Sequence, residues 1–358
     1  MSMTFDEKFM QDAIQLAKRG RFSTHPNPSV GSVVVKDGKI VGKGFHLRAG
    51  SKHAEINALE QAGDKSRGST LYVTLEPCSF QGRTPACAKA IINAGVNRVV
   101  VGTVDPDPRN SGRGIEILRE AGIKVVTNCL EAETSQLVEG HIKRFCFGRP
   151  FVRLKLAMSL DGKTALSGGQ SKWITSENAR SDVQKLRAWS SAIVTGVGTI
   201  IHDDPALSVR LQESDLPNSR EIMSIERPIY VLDSQLRIPL ESKVLERSST
   251  VLVALEQESL RHHYDNEILY TKKNSGRVDL ATFLNELAKR EHSNVLFECG
   301  ATLAGALVEE KLFDEIILYV APKFLGDKAK SLLMLPELAR MSDYCLLYTS
   351  PSPRDATL

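Results

Sequence analysis

The sequence predicts an α/β protein built as two layered domains in series. Three observations carry this. Short apolar runs of strand type alternate with segments of helical periodicity along nearly the whole chain. The alternation stops at Gly148-Arg149-Pro150 and then starts afresh. A length of 358 residues with 42% hydrophobic residues is enough for two cores. The expected domains are residues 1–147 and 148–348, with residues 349–358 as a tail outside the fold.

The order of elements follows from local signals. Phe9, Ala13, Leu16 and Ala17 fall at helical spacing within residues 6–19. His25-Pro26-Asn27-Pro28 runs extended, because each proline disfavours the helical region for the residue before it. Residues 30–35 and 39–45 read as strands joined by Asp37-Gly38, a hairpin turn signal. A helix over 53–62 ends at Gly63. A strand over 70–75 leads into Glu76-Pro77-Cys78, and Pro85 opens a helix that Gly95 closes. A strand at 98–101, a helix at 115–121 before Gly122, a strand at 124–127 and a helix at 133–145 complete the first half. The second half reads as strand 152–157, helix 177–188 and strands 192–195, 228–232 and 250–254. A helix then places Leu280, Phe283, Leu284 and Leu287 on one face. Strand 295–297, helix 302–310 and strand 315–320 follow, and no repeat is visible. Gly196-Val197-Gly198, taken by itself, reads as a turn.

The chemistry concentrates on His53-Ala54-Glu55, Pro77-Cys78 and Cys87. One His and two Cys can hold Zn²⁺ by three protein ligands and leave the fourth tetrahedral position to water. The expectation is one zinc ion per chain. Cys78 follows a strand and Cys87 lies in the first turn of a helix, where the positive end of the dipole favours thiolate. Glu55, two residues past the His, can take a proton from the activated water and hand it to a departing amine. His-x-Glu followed by Pro-Cys is the pattern of zinc-dependent base deaminases, in which two residues separate the cysteines; here eight do. The competing reading is a structural zinc with His46 as fourth ligand, which leaves Glu55 without a role. Cys129, Cys146, Cys299 and Cys345 read as ordinary core cysteines.

Composition narrows the classes. A nucleic-acid-editing deaminase with a strand-binding second half needs a basic groove and stacking aromatics, and a net charge of +3 with 6% aromatic residues argues against it. A zinc-stabilised nucleotide-binding regulator without catalysis is a third class; Glu55 beside an open ligand position argues against that. Residues 1–10 contain Asp6, Glu7 and Lys8 and lack the apolar centre of a signal peptide. No run reaches the ~18 apolar residues of a membrane span. Six cysteines in 358 residues do not make a disulfide framework. The expected setting is the reduced cytoplasm, with no membrane and no nucleic-acid partner.

His25-Pro26-Asn27-Pro28, the stretch from His46 to Glu55, Glu76-Pro77-Cys78-Ser79, and Gly82-Arg83-Thr84-Pro85 with Cys87 closely resemble the bifunctional deaminase–reductase family of riboflavin biosynthesis. The eight-residue spacing of the cysteines matches that family and separates it from cytidine and tRNA deaminases. In the second half, Lys155, Ser159-Leu160-Asp161-Gly162-Lys163, Ser171 to Ser176, Gly196-Val197-Gly198-Thr199 with Asp203-Asp204-Pro205, and Glu298 to Gly305 carry the same resemblance. It implies a cytidine-deaminase-like three-layer α/β/α domain followed by a dihydrofolate-reductase-like α/β domain that uses NADPH. The implied substrate is a small phosphorylated pyrimidine. The implied reactions are zinc-hydroxide deamination of 2,5-diamino-6-(5-phosphoribosylamino)pyrimidin-4(3H)-one, then reduction of the ribosyl chain to give 5-amino-6-(5-phosphoribitylamino)uracil. A homo-oligomer, dimer or tetramer, is implied as well.

By the same resemblance, Asn27 and His46 contact the base and ribose, and Arg83 the phosphate. Ala157, Trp173, Thr199, Asp203 and Gly300, Ala301, Thr302, Leu303, Ala304, Gly305 and Ala306 line the cofactor. Ser171, Arg187, Leu207, Arg210 and Glu298 contact substrate, the two arginines by forked hydrogen bonds to phosphate. Lys155 and Asp203 are the candidates for polarising or protonating the sugar as hydride reaches C1′. The residues themselves support one part of this: Glu298 ends a strand, Gly300 permits close approach and Thr302 begins a helix, a junction that offers N–H groups to phosphate. The segment lacks Gly-x-Gly-x-x-Gly, so it is not a Rossmann fingerprint. The chain departs from the family in two places. Phe80 stands where the family usually has a His that helps bind substrate, and Phe cannot hydrogen-bond. After about Leu335 the family has a final pair of strands, whereas residues 349–358 carry two prolines and no alternation, so an unpaired sheet edge is expected.

Overall fold

The computed structural model describes residues 3–80, 86–170, 176–212, 216, 219–255, 264–274, 276–337 and 340. Arg83, Pro85, Ser171, Trp173, Cys345 and the tail from 349 to 358 lie outside the described residues. Helix α1 (Phe5–Gly20) starts on a reciprocal cap: the Glu7 N–H donates to Thr4 Oγ1, and the Thr4 N–H donates to the Glu7 carboxylate at 2.7 Å. Strands β1 (Gly31–Lys36) and β2 (Lys39–Phe45) form the hairpin that Asp37-Gly38 predicts, the two turn residues having φ of 50° and 71°. Then follow α2 (Ala54–Ala62), β3 (Thr70–Leu75), α3 (Cys87–Asn93), β4 (Arg98–Thr103), α4 (Arg113–Glu120) and β5 (Lys124–Val126). Helix α3 starts at Cys87 with Ala86 as its cap.

The single helix expected over 133–145 is two, α5 (Glu131–Leu137) and α6 (Glu139–Phe147). Val138, at φ −122° and ψ 22°, breaks the ladder between them. The cause is a long-range contact. Gly140 lies against the second half, where a Cβ would come within 2.5 Å of the Ser293 carbonyl oxygen, and α6 turns to make that approach.

The first sheet has the order β2-β1-β3-β4-β5, with β1 antiparallel to its neighbours and β3, β4 and β5 parallel. Side-chain alternation sorts its two faces. Val33, Val35, Tyr72 and Val100 pack with Phe9, Met10, Ala13 and Ile14 of α1. Val34, Leu71, Val73, Val99 and Val101 pack with Ala58, Ala88, Ile91 and Leu118 of α2, α3 and α4. The result is a three-layer α/β/α unit. Helix α2 can lie this close because β2 carries Gly44, where a Cβ would sit 2.1 Å from the Ala54 carbonyl oxygen. That approach fixes the first turn of α2, beside His53 and Glu55.

The second half runs β6 (Phe151–Ser159), β7 (Lys163–Ala165), α7 (Glu177–Trp189), β8 (Ala192–Gly196), α8 (Val197–Asp203), α9 (Ser219–Ser224), β9 (Ile229–Leu232), β10 (Thr250–Leu255) and β11 (Glu267–Thr271). It continues with β12 (Lys273–Asn274), β13 (Arg277–Val278), α10 (Leu280–Lys289), β14 (Asn294–Glu298), α11 (Ala301–Glu309), β15 (Glu315–Ala321) and β16 (Lys330–Ser331). Seven strands form one sheet in the order β11-β10-β9-β8-β14-β6-β15, and every neighbouring pair is parallel. Helices cover both faces, so β9 and β10 are buried at every position instead of alternating. Strand β11 gives no such run: it is an edge strand with Glu267 and Tyr270 exposed, and the sequence reading passes over it. Gly196-Val197-Gly198 opens α8, with Gly196 as its N-cap, so it is more than a turn. Cys146 is exposed, not core. Among the described residues β15 is the last strand on its side of the sheet.

The two halves meet through α6 and the loop after α1. Arg153, its side chain 2% exposed, bridges Glu139 and Glu315, and its guanidinium carbon lies 3.6 Å from the Trp189 ring centroid. His25 stacks on His292 with ring centroids 5.8 Å apart, and the Tyr230 hydroxyl meets His292 Nε2 at 2.9 Å. Burial, reinforced by the charges of Arg290 and Arg144, lowers His292 to about 4; burial and the facing His292 lower His25 to about 3. An unfolded chain protonates these histidines near pH ~6.5, whereas the folded chain resists until far lower. The stability they contribute is therefore complete above that value and is lost as pH falls towards 4, at up to ~1.4 kcal/mol per pH unit for each resisted proton. The urea midpoint is expected to fall between about pH 7 and about pH 5, and His292→Gln is expected to flatten that dependence. A midpoint with the same slope in both proteins would contradict the assignment.

Candidate active sites

The first site forms where the ends of three elements meet. His53 is the N-cap of α2, and Glu55 sits in the first turn of the same helix, 3% exposed. Cys78 follows the end of β3, and Cys87 is the first residue of α3. The turn between β3 and Cys78 is held by Glu76, whose carboxylate accepts the N–H groups of Asp105, Gly112 and Gly114 at 2.9–3.1 Å. Asn110, wholly buried, accepts the Ser79 N–H at 2.9 Å and adds a second clasp.

His53 Nδ1 lies 3.2 Å from Cys87 Sγ and 3.7 Å from Cys78 Sγ. All three ligand atoms lie within 4.8 Å of one another, the one such cluster among the described residues. Bond lengths of about 2.0–2.3 Å put the ligand atoms of a tetrahedral zinc about 3.3–3.8 Å apart, so the cluster fits the ion. Cys78 is held down to about 4, first by its hydrogen bond with Cys87, while the same bond and burial push Cys87 up. The pair thus shares a proton that a bound cation displaces.

His46 does not complete a four-ligand set. The Lys52 carbonyl can only accept, so His46 Nδ1 donates to it at 3.1 Å, and Nε2 accepts from Asn27 Nδ2 at 3.0 Å. Burial holds the ring below its ordinary pKa, which keeps that neutral tautomer. Both nitrogens are engaged, and the structural-zinc alternative loses its fourth ligand. Glu55 is pushed up to about 7 by burial, against the pull of His53. A carboxyl at that value can both accept and give a proton near neutrality.

A cavity of about 310 Å³ opens over this cluster, lined by Asn27, His46, His53, Glu55 and Cys78. Cys87 lies fully buried beneath it. Phe80, Asp105, Asp107, Arg109, His141, Arg144 and Glu291 also line it. Of these the sequence reading reached only Phe80. The run Asp105-Pro106-Asp107-Pro108 at the end of a strand was the available signal for the loop.

The second site lies at the C-terminal ends of parallel strands, where ligands of open α/β sheets bind. Lys155 on β6, Glu298 at the end of β14, and Thr199 and Asp203 on α8 line a cavity of about 360 Å³ with Ala157, Arg187, Leu207, Gly300 and Ala301. Arg180 and Thr164 join them without having been singled out from the sequence, and Cys299, read there as an ordinary core cysteine, lines the cavity too. Gly300 caps α11, and a Cβ there would meet no atom within 4 Å. An open glycine beside helix N–H groups suits a cofactor phosphate.

The structure changes three expectations here. Arg187 is not free to fork onto a phosphate: Nε and Nη2 donate to the two Glu298 oxygens, the second at 2.9 Å, and Nη1 donates to the Ser208 carbonyl at 3.0 Å. Burial alone would raise Glu298, but the charge and hydrogen bonds of Arg187, with Lys155, hold it below the usual carboxylate range. Arg210 does not line the cavity; its N–H donates to Gln184 at 2.8 Å and its side chain is exposed. Thr302, Leu303, Ala304, Gly305 and Ala306 do not line it either. Thr302 turns its hydroxyl to Met334, Leu303, Ala304 and Ala306 pack on the core, and Gly305 lies against the Met334 backbone. The helical repeat of α11 sends that stretch inward.

Comparison with known proteins gives a family for each half of the chain. The family described as cytidine and deoxycytidylate deaminase zinc-binding region matches residues 3–103, and the RibD C-terminal domain matches residues 150–343. The chain is 46% identical over 342 residues to the riboflavin biosynthesis protein RibD of Escherichia coli K12, covering 94% of this chain and 93% of that protein. It is 47% identical over 341 residues to RibD of Haemophilus influenzae, covering 94% and 91%. The solved Acinetobacter baumannii RibD superposes with a TM-score of 0.87 at 43% identity, covering 95% of this chain and 93% of the other. The Thermotoga maritima diaminohydroxyphosphoribosylaminopyrimidine deaminase/5-amino-6-(5-phosphoribosylamino)uracil reductase gives 0.83 at 35%, with the same coverage of 95% and 93%. The chain belongs to the RibD family, bifunctional enzymes of riboflavin biosynthesis that join a cytidine-deaminase-like zinc-dependent deaminase to a dihydrofolate-reductase-like NADPH-dependent reductase.

Proposed function

We propose that the first cavity removes the 2-amino group of 2,5-diamino-6-(5-phosphoribosylamino)pyrimidin-4(3H)-one and the second reduces the ribosyl chain of its product, with residues in the following roles. His53, Cys78 and Cys87 hold one Zn²⁺, which supplies the Lewis acidity that lets water ionise near neutral pH. Glu55 takes the water proton and delivers it to the amino nitrogen. A C2–O bond forms, the C2–N bond breaks, and ammonia leaves. One observation carries this reading: a carboxylate 3% exposed beside three converging ligand atoms that lack a fourth protein partner among the described residues. Asn27, steered by His46, has an amide acceptor and a second N–H left for the heterocycle. Arg83 meets the phosphate.

In the second cavity NADPH supplies the hydride that reaches C1′. Lys155 and Asp203 polarise the sugar and protonate its ring oxygen as the C1′–O bond opens. The Arg187–Glu298 pair forms the substrate wall with Leu207, and Ala157, Thr199, Gly300 and Ala301 form the cofactor wall. The boundary between the domains falls at Gly148-Arg149-Pro150, where Gly148 ends α6 in the left-handed conformation. The setting we assign is a cytoplasmic homo-oligomer. No described helix is long and apolar enough to cross a membrane, and β15 leaves Leu318 and Val320 exposed at 41% and 46%.

Cys87→Ser tests the ligand set. Elemental analysis is expected to show strong zinc loss, with ammonia release falling in parallel. Full zinc content in the variant would overturn the assignment.

A further inference from the structure

Phe80 and Arg109 both line the cavity over Glu55, and neither has a role in the scheme above. The Arg109 guanidinium carbon lies 5.0 Å from the Phe80 ring centroid, a cation over an aromatic face. Asp107, its side chain 5% exposed, accepts from Arg109 Nε at 3.0 Å and from Nη2 at 2.5 Å. It also accepts the Arg109 backbone N–H at 3.0 Å. The guanidinium is thus held on one edge and one face. Its Nη1 has no hydrogen-bond partner among the described residues, and the side chain is 67% exposed. The other described arginine of the cavity, Arg144, is 17% exposed and donates Nε to the Ala288 carbonyl at 3.0 Å. Arg109 is therefore oriented at the rim with donors in reserve.

The substrate of this site ends in a phosphate, and an arginine with a free edge is the side chain best matched to one. Phe80 has no hydrogen-bonding group, but its ring can carry a cation that does. We propose that Arg109, stacked on Phe80 and braced by Asp107, binds the 5′-phosphate of the deaminase substrate and contributes to its selection. This inference rests on the deaminase reading of the same cavity.

The test uses the zinc-loaded full chain and two substrates, the phosphorylated diaminopyrimidine and its dephosphorylated riboside. Arg109→Gln is expected to raise KM for the phosphorylated substrate about tenfold, the effect of one charge-assisted hydrogen bond, with kcat little changed. KM for the riboside should stay at its wild-type value, and Arg109→Lys should recover part of the loss. Phe80→Ala should raise the same KM, and the double variant should lose little more than Arg109→Gln alone. Zinc content and NADPH oxidation on supplied intermediate report that the variants are folded. An unchanged KM for the phosphorylated substrate overturns the inference, and so does an equal rise on both substrates. Glu55→Gln run in parallel separates the two levels. If it deaminates normally, the reading of the cavity fails and the inference with it. If it is inactive while Arg109→Gln is unaffected, only the phosphate contact is wrong.

Discussion

Glu55→Gln is expected to lower ammonia release by about 10² to 10⁴-fold while the protein keeps its zinc. Gln has nearly the same volume and can accept and donate hydrogen bonds, so the first turn of α2 has no reason to move. What it cannot do is carry a proton. Glu55 suits that task because burial raises it to about 7, close to the pH at which it must take a proton from water and return one to nitrogen. Initial rates of ammonia release, measured beside elemental zinc, check this. A rate within about threefold of the wild type in a zinc-loaded variant would remove Glu55 from proton transfer.

Arg187→Met is expected to cost about 3–5 kcal/mol of stability in the reductase half, the usual penalty for stranding one member of a buried ion pair. Glu298 is only 11% exposed, and two of its hydrogen bonds come from Arg187. Without the fork it must protonate, find water or unfold its surroundings, and β14 and α7 lose their link across the cavity. NADPH oxidation should be lost as well. Urea unfolding followed by circular dichroism checks the first point. Arg187→Met combined with Glu298→Leu should recover much of the loss, because the stranded charge is gone. An unchanged midpoint for the single variant would show that the pair is not closed in solution.

The zinc cluster was legible because its ligands mark local events. His53 caps a helix, Cys78 ends a strand turn and Cys87 starts a helix, each readable within a few residues. Asn27 was reached only through the family resemblance; lying between two prolines, it reads by itself equally as a turn residue. Arg109 and Asp107 were not legible, because their place in the cavity depends on Asn110 and Glu76 clasping the β4–α4 loop to the Cys78 turn. Arg144 and His141 required the break at Val138, which answers to a contact with Ser293 in the other half of the chain. Arg187 and Glu298 were each singled out, but their pairing spans 111 positions and was not readable from either residue alone. In α11 the sequence identified the right junction at Gly300 and Ala301 but extended the site along the helix. Three-dimensional packing decides which side of a short apolar helix faces the core, and Ala304 faces it fully.

Two separate active sites on one chain are the central claim, and NADPH oxidation by Glu55→Gln tests it most directly. The deaminated intermediate is supplied, so the reductase does not depend on the disabled cavity. Glu55 and Cys78 line one cavity, and Lys155, Asp203 and Glu298 line another that shares no lining residue with it among the described residues. The account predicts oxidation at close to the wild-type rate from a protein that releases almost no ammonia. Loss of NADPH oxidation in a folded, zinc-loaded Glu55→Gln protein would contradict it, because the two cavities would then be working as one.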